Sequence, residues 1–329
     1  MKRQIVIAAP LFIAGLTGVC FAQNRLSLTD AVSQALRSRA SLKAEYERIS
    51  AAEGLRVQAG LRANPVFQFQ NENLRPGQNY GQDVDTLALI YQPLDILGKR
   101  KERIAVATKA VAAAEADYGQ VRWQLIQNVK LAYWTARGAQ QISELLAVTA
   151  RDFQKTIDYH AAQFSAGAIA EQDLLRVRLE GERLKIAADL AVLDANRARF
   201  QLLREMGENV ASNIVLTDPL APEQPPVPIE FRQVLSQRTE VKAARAALEQ
   251  ACANVKLQEV YARPDLSVTY GFKRTQLPDT PTGVNTAVAG MQITLPFLDK
   301  NQGNRYTAAA EVRRQEQVLR AVETSIRAE

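Results

Sequence analysis

From Leu266 to Lys273 apolar and polar residues alternate. Leu266, Val268, Tyr270 and Phe272 fall on one phase and Ser267, Thr269, Gly271 and Lys273 on the other. This period of two marks a strand with one apolar face. Ala287, Ala289, Met291, Ile293 and Leu295 repeat the pattern against Val288, Gly290, Gln292 and Thr294. Earlier in the chain Phe67 and Phe69 alternate with Gln68 and Gln70, and a less decisive run extends from Asp83 to Gln92. Strands are therefore expected at 65–74, 83–92, 265–273 and 286–295. At about nine to eleven residues each they are long enough to cross a bilayer when tilted. A half-buried hairpin on a soluble domain would alternate in the same way. Four strands cannot close a barrel, so a membrane reading requires several chains.

The other periodicity is helical. From Lys99 to about Phe164 a 3/4 spacing runs through Ile104, Val111, Tyr118, Leu125, Ala132, Ala139, Leu146 and Phe153, the seam of a long coiled coil. Ser165-Ala166-Gly167-Ala168 interrupts it, with Gly167 supplying the turn. A second amphipathic helix follows from about Glu171 to Met206, with Leu175, Leu179, Ile186, Leu190, Leu193, Phe200 and Leu203 along its face. The spacing predicts an antiparallel helical hairpin over 99–206.

The chain repeats itself. Residues 26–69 align with the stretch 199 positions later, placing Pro65 on Pro264, and QPLDILGKRKERIAVATKA aligns at an offset of 203, placing Pro93 on Pro296. The shared order is helix, proline, strand, loop, strand, proline, helix. The first repeat spans 23–228, with helix 26–62, strands 65–74 and 83–92, hairpin 99–206 and a Pro-rich linker 207–228. The second spans 229–329, with helix 229–262, strands 265–273 and 286–295 and helix 302–329. That last helix ends where the first copy would continue, so a shortened product is expected, with Val312, Leu319, Val322 and Ile326 left exposed. The fold class is mainly α with a small β part: long antiparallel coiled-coil helices plus amphipathic β hairpins.

Residues 1–22 carry a basic start (Lys2, Arg3), an apolar run from Ile5 to Val19 and a small-residue end before Gln23, the plan of a secretory signal peptide. Cys20 suggests lipidation, but Thr17 stands where a lipidated cysteine usually has a leucine. Beyond this segment no apolar run reaches the ~20 residues of a spanning helix. The net charge of +6 falls to +4 without Lys2 and Arg3, too little and too evenly spread for nucleic acid. His160 is the only histidine and reads as a helix position. No metal-ligand spacing or nucleophile motif accompanies it, so neither enzyme activity nor a cofactor or metal is expected. Lys99, Arg100, Lys101 and Arg103 stand either at a solvated helix start, where cations oppose the dipole, or beside lipid headgroups.

The opening LSLTDAVSQAL, the ANP before the first strand and FSAGAIAEQDLLRVR at the hairpin turn resemble the outer-membrane factor family typified by TolC. YQPLDILGKRKER is similar to the branch serving cobalt, zinc and cadmium efflux pumps of the resistance-nodulation-division class. The resemblance implies a homotrimer in the Gram-negative outer membrane that reaches into the periplasm. Each chain would give four strands to a transmembrane β-barrel. The implied function is a passive conduit of a tripartite efflux or type I secretion system, partnered by a periplasmic adaptor and an inner-membrane pump. Phe164, Gly167, Ala168, Asp173 and Arg178 would form the adaptor-contact tip, with Asp173 also a candidate helix cap. Phe67, Phe69, Leu266, Val268, Tyr270 and Phe272 would face outer-membrane lipid. A periplasmic adaptor and a structural coiled-coil protein of the cell envelope are the alternatives.

Overall fold

The computed structural model describes residues 24–77, 84–208, 214–220, 235–276 and 282–328. The expected signal segment and most of the Pro-rich linker lie outside them. The chain divides into two compact units, with boundaries after Gln34, Asn128 and Ala221. The helix α3 (Lys99–Ser165) contributes residues to both.

In the unit containing 35–128 and the stretch from 222 onward, four strands form one antiparallel sheet. They are β2 (Val66–Glu72), β3 (Asp85–Leu94), β5 (Leu266–Thr275) and β6 (Val284–Ile293), in the order β2-β3-β5-β6. Pro65 and Pro264 immediately precede the first strand of each hairpin, where a missing N–H costs no ladder bond. The run expected at 83–92 lies at Asp85–Leu94. Its alternation is blurred because Leu87 and Leu89 share the phase of Asp85, as suits a strand with neighbours on both sides.

The helices of this unit pack beside one another. Tyr46 of α2 (Ala40–Gly60) meets Tyr118 of α3 edge-on at 6.1 Å, and Arg48 lies 3.5 Å from Asp117. Lys109 of α3 pairs with Glu249 of α5 (Thr239–Tyr261) at 2.7 Å. The α5 face buries Val241, Ala243, Ala244, Ala251, Leu257 and Val260, mostly small side chains that let helices approach closely. The last helix, α6 (Gln302–Ala328), packs on α5, burying Ala308 and Ile326. This corrects the exposed stripe expected there: Ile326 is buried, Val312, Leu319 and Val322 are half-buried, and Val318 is the exposed valine. The seam finds its partner within the chain, on α5.

The single helix expected at 26–62 is broken. After β1 (Asn24–Leu26) the chain forms α1 (Leu28–Ser38), leaves helical geometry at Arg39 (ψ 112°) and resumes as α2. Arg238, 199 positions later, makes the same break before α5 (ψ 132°), with residues 235–237 helical ahead of it. Both breaks occupy one position of the duplicated pattern.

In the other unit, α3 from Val129 onward runs beside α4 (Glu171–Met206). β1 pairs in parallel with β4 (Ile214–Leu216). Tyr133, Leu202 and Met206 are the largest fully buried side chains here.

Candidate functional site

Two surfaces carry the functional argument. The first is the sheet. Its register sets Phe69, Ala88, Phe272 and Ala287 in one row across all four strands, and Phe67, Ile90, Tyr270 and Ala289 in the next. Gln92, Val268 and Met291 follow, then Leu94, Leu266 and Ile293. Side chains directly opposite in paired strands share a face. All six residues expected on the lipid side therefore lie on one face, and Phe67, Phe69, Tyr270 and Phe272 are exposed there.

The opposite face is more polar. Lys273 reaches Asp85 at 2.7 Å and Glu72 at 3.8 Å, and Gln68, Gln70 and Glu72 are joined in a ladder along β2 by side-chain bonds of 3.1 Å. Among the described residues β2 and β6 each pair on one side only, so the sheet presents two open edges. Unpaired edges of this length invite another chain. Glu72, Asp85 and Lys273 were missed by sequence reasoning. Glu72 and Lys273 were signalled by position, since each sits on the polar phase of its strand, whereas Asp85 shares its phase with Leu87 and Leu89 and gave no such signal.

At the ends of the strands the basic run divides. Lys99 pairs with Asp265 at 2.7 Å and is only 11 % exposed. Arg103 pairs with Asp95 at 2.6 Å, and Arg100 donates its Nε to the Gly60 carbonyl while its N–H goes to Asp95. All three are engaged by partners within the chain rather than left free for headgroups. They tie the start of α3 to the strand ends, and Lys101 is left exposed.

The second surface is the hairpin turn of the other unit. Gly167 adopts φ 72°. Its N–H donates to Phe164 and that of Ala168 to Gln163, both at 2.9 Å, which is the Schellman closure that favours glycine. Phe164, Gly167, Ala168, Asp173 and Arg178 are all exposed. Asp173 is not the cap expected of it. The N-cap is Ala170, which makes no side-chain cap bond, and Asp173 instead lies in the first turn, 3.7 Å from Arg176. There, with Glu171, it opposes the positive end of the helix dipole. Farther along the hairpin, a Cβ on Gly181 would stand 2.3 Å from Ile157 Cδ1, so this glycine admits the isoleucine against the α4 backbone. His160 bonds its Nδ1 to the Thr156 carbonyl of its own helix at 2.9 Å.

The chain combines an amphipathic four-stranded sheet with two open edges and a long helical hairpin. The chain belongs to the outer membrane efflux protein family, whose sequence profile matches residues 31–208 and 231–329. It is 28 % identical over 289 residues to the cobalt-zinc-cadmium resistance protein CzcC of Cupriavidus metallidurans, covering 87 % of this chain and 67 % of that one. It is 26 % identical over 234 residues to the cation efflux system protein CusC of Escherichia coli, covering 69 % of this chain and 50 % of CusC. The chain thus spans about half to two thirds of the length of these relatives. The fold matches a crystal structure of CusC with TM-score 0.71 at 18 % identity, over 100 % of this chain and 79 % of that one. It matches the Campylobacter jejuni CmeC outer membrane channel with TM-score 0.72 at 19 % identity, over 91 % and 68 %. Family membership places the chain in the Gram-negative outer membrane and sets aside the adaptor and structural coiled-coil alternatives.

Proposed function

We propose that the chain is the outer-membrane conduit of a metal-cation efflux system, built as a homotrimer and coupled through a periplasmic adaptor to a resistance-nodulation-division pump. The observation that carries this is the sheet, with apolar rows across all four strands on one face, Lys273, Asp85 and Glu72 on the other, and both edges unpaired. Joining β6 of one copy to β2 of the next in a ring of three closes a twelve-stranded barrel whose outer surface carries Phe67, Phe69, Leu266, Val268, Tyr270 and Phe272. Two carboxylates to one ammonium on the inner face of each copy leave that ring net negative, which suits cations. The names of CzcC and CusC support the same substrate class. Residues 23–228 and 229–329 are the two structural repeats of this subunit. The turn formed by Phe164, Gly167, Ala168, Asp173 and Arg178 is the adaptor contact.

The test is metal sensitivity in a host that retains pump and adaptor but lacks its own outer-membrane component. Expression of the chain should restore resistance to zinc, cobalt or cadmium, and a photo-crosslinker at Ala168 should capture the adaptor. Trimers in the outer membrane that restore resistance to none of these metals would overturn the substrate class. Export unaffected by Gly167→Val, with no adduct at Ala168, would overturn the tip assignment.

A further inference from the structure

The apolar face of the sheet is too short for the membrane it crosses. Its upper limit is the row Asn71, Thr86, Arg274 and Asn285, in which every residue is polar. Below that row, the apolar positions of β6 run from Ala287 to Ile293, about 20 Å of strand and ~14 Å of height at the usual tilt, against an apolar band of about 25 Å. The apolar sequence continues past the last strand residue to Leu295 and Phe297. Both lie beyond the strand, where the Phe297 N–H closes a turn on the Leu295 carbonyl at 2.9 Å, and they extend the apolar surface at that end of the sheet.

The strand–helix junction has the surface that such a boundary needs. Leu298 is 92 % exposed, Phe297 74 % and Tyr306 73 %, and Leu61, Ile96 and Leu295 are exposed as well. Arg62, Lys101, Lys300 and Arg305 are exposed among them and form no ion pair among the described residues. Asp95 and Asp265 are occupied by Arg103 and Lys99, and Asp299 accepts the Asn301 N–H. The segments are held at one end of the sheet by Arg100 on Gly60, Gln92 on Ala63, Arg263 on Leu97 and Asn301 on Gln258.

We propose that this junction is a lipid-binding collar. Phe297, Leu298 and Tyr306 enter the periplasmic leaflet at the level of its headgroups, and Arg62, Lys101, Lys300 and Arg305 hold anionic phospholipid. Asp95 and Asp265 are already paired with Arg103 and Lys99, so neither is free to neutralise these four cations at a contact with a second copy. A phospholipid headgroup supplies the missing negative charge, and its acyl chains cover the apolar side chains. The proposal rests on the membrane-spanning reading of the sheet.

The experiment uses the full chain reconstituted in phosphatidylcholine vesicles with and without phosphatidylglycerol, bearing Leu298→Trp or Tyr270→Trp and read against the emission of native Trp123 and Trp134. Leu298→Trp should lose emission to lipids brominated near the glycerol end of the acyl chain. Phe297→Trp reads the same boundary should the first variant fold poorly. The combined change of Arg62, Lys101, Lys300 and Arg305 to Gln should weaken phosphatidylglycerol retention by about five-fold per cation removed. Three results would overturn the collar while Tyr270→Trp remains quenched by lipid: position 298 open to acrylamide, position 298 shielded from both acrylamide and lipid because a second copy covers it, or unchanged phosphatidylglycerol retention in the Gln variant. Loss of lipid quenching at Tyr270→Trp would overturn the membrane-spanning reading itself.

Discussion

The phenol of Tyr133, fully buried on α3, donates to the carbonyl of Leu26 at 3.0 Å, 107 positions away in sequence. The same oxygen receives the Asp218 N–H at 3.4 Å. Asp218 in turn accepts the Leu28 N–H on its carboxylate at 2.8 Å and Arg137 Nε on its carbonyl at 2.7 Å. Tyr133, Arg137 and Gln140 lie about one helical turn apart, and Gln140 takes the Leu216 N–H. One face of α3 thus holds the β1–β4 pair by side-chain bonds to its backbone. Burial pushes the phenol pKa up, so it stays a donor.

Tyr133→Phe should therefore destabilise the unit by about 0.5–1.5 kcal/mol, because the phenol's bond to the Leu26 carbonyl is lost while the Thr217 N–H still reaches that carbonyl at 3.3 Å and ring packing is kept. Chemical unfolding followed by circular dichroism reads this. A loss within error would show that the bond is replaced by water.

Gly181→Val should loosen the hairpin by about 1–3 kcal/mol, since the new side chain occupies the space of Ile157. Combining it with Ile157→Ala should recover part of the loss, and a double-mutant cycle measures that coupling. Strict additivity would place the strain elsewhere.

Val268→Arg should cost about 2–4 kcal/mol in outer-membrane assembly if the position lies near the bilayer midplane, whereas Thr269→Arg on the opposite face should be mild. Recovery of heat-modifiable trimers distinguishes the two. Equal tolerance would contradict the assignment of faces.

Asp117 beside Arg48 has its pKa raised, chiefly because burial disfavours the charge. An acid with a raised folded-state value contributes stability that is complete below the ordinary carboxylate range and is lost as pH rises through the folded-state pKa. Asp117→Asn should accordingly raise the melting temperature at neutral pH, with the gain shrinking to nothing on acidification below the usual aspartate pKa. A gain independent of pH would exclude ionisation as its cause.

Much of the architecture was written locally. Period-two runs marked the strands around Phe67, Tyr270 and Met291, and the 3/4 spacing from Ile104 to Phe153 marked the long helix. Gly167 marked its turn, because one glycine at positive φ is a purely local requirement. Such signals survive in sequence because each arises from residues within a turn or a strand of one another.

The tertiary structure decided what depends on partners far along the chain. Three-residue β1 and β4 carry no periodicity of their own and exist because Leu26 and Leu216 pair across 190 residues. The basic start of α3 read as solvated or headgroup-facing until Asp265, 166 positions beyond Lys99, closed on it. The cluster of Glu72, Asp85 and Lys273 likewise needed the β3–β5 register before two acids and one ammonium met on a single face. Periodicity reports which face a residue occupies. Only the pairing of distant strands and helices determines which charge lies opposite it, and so which cations are neutralised within the chain and which are left for an outside partner.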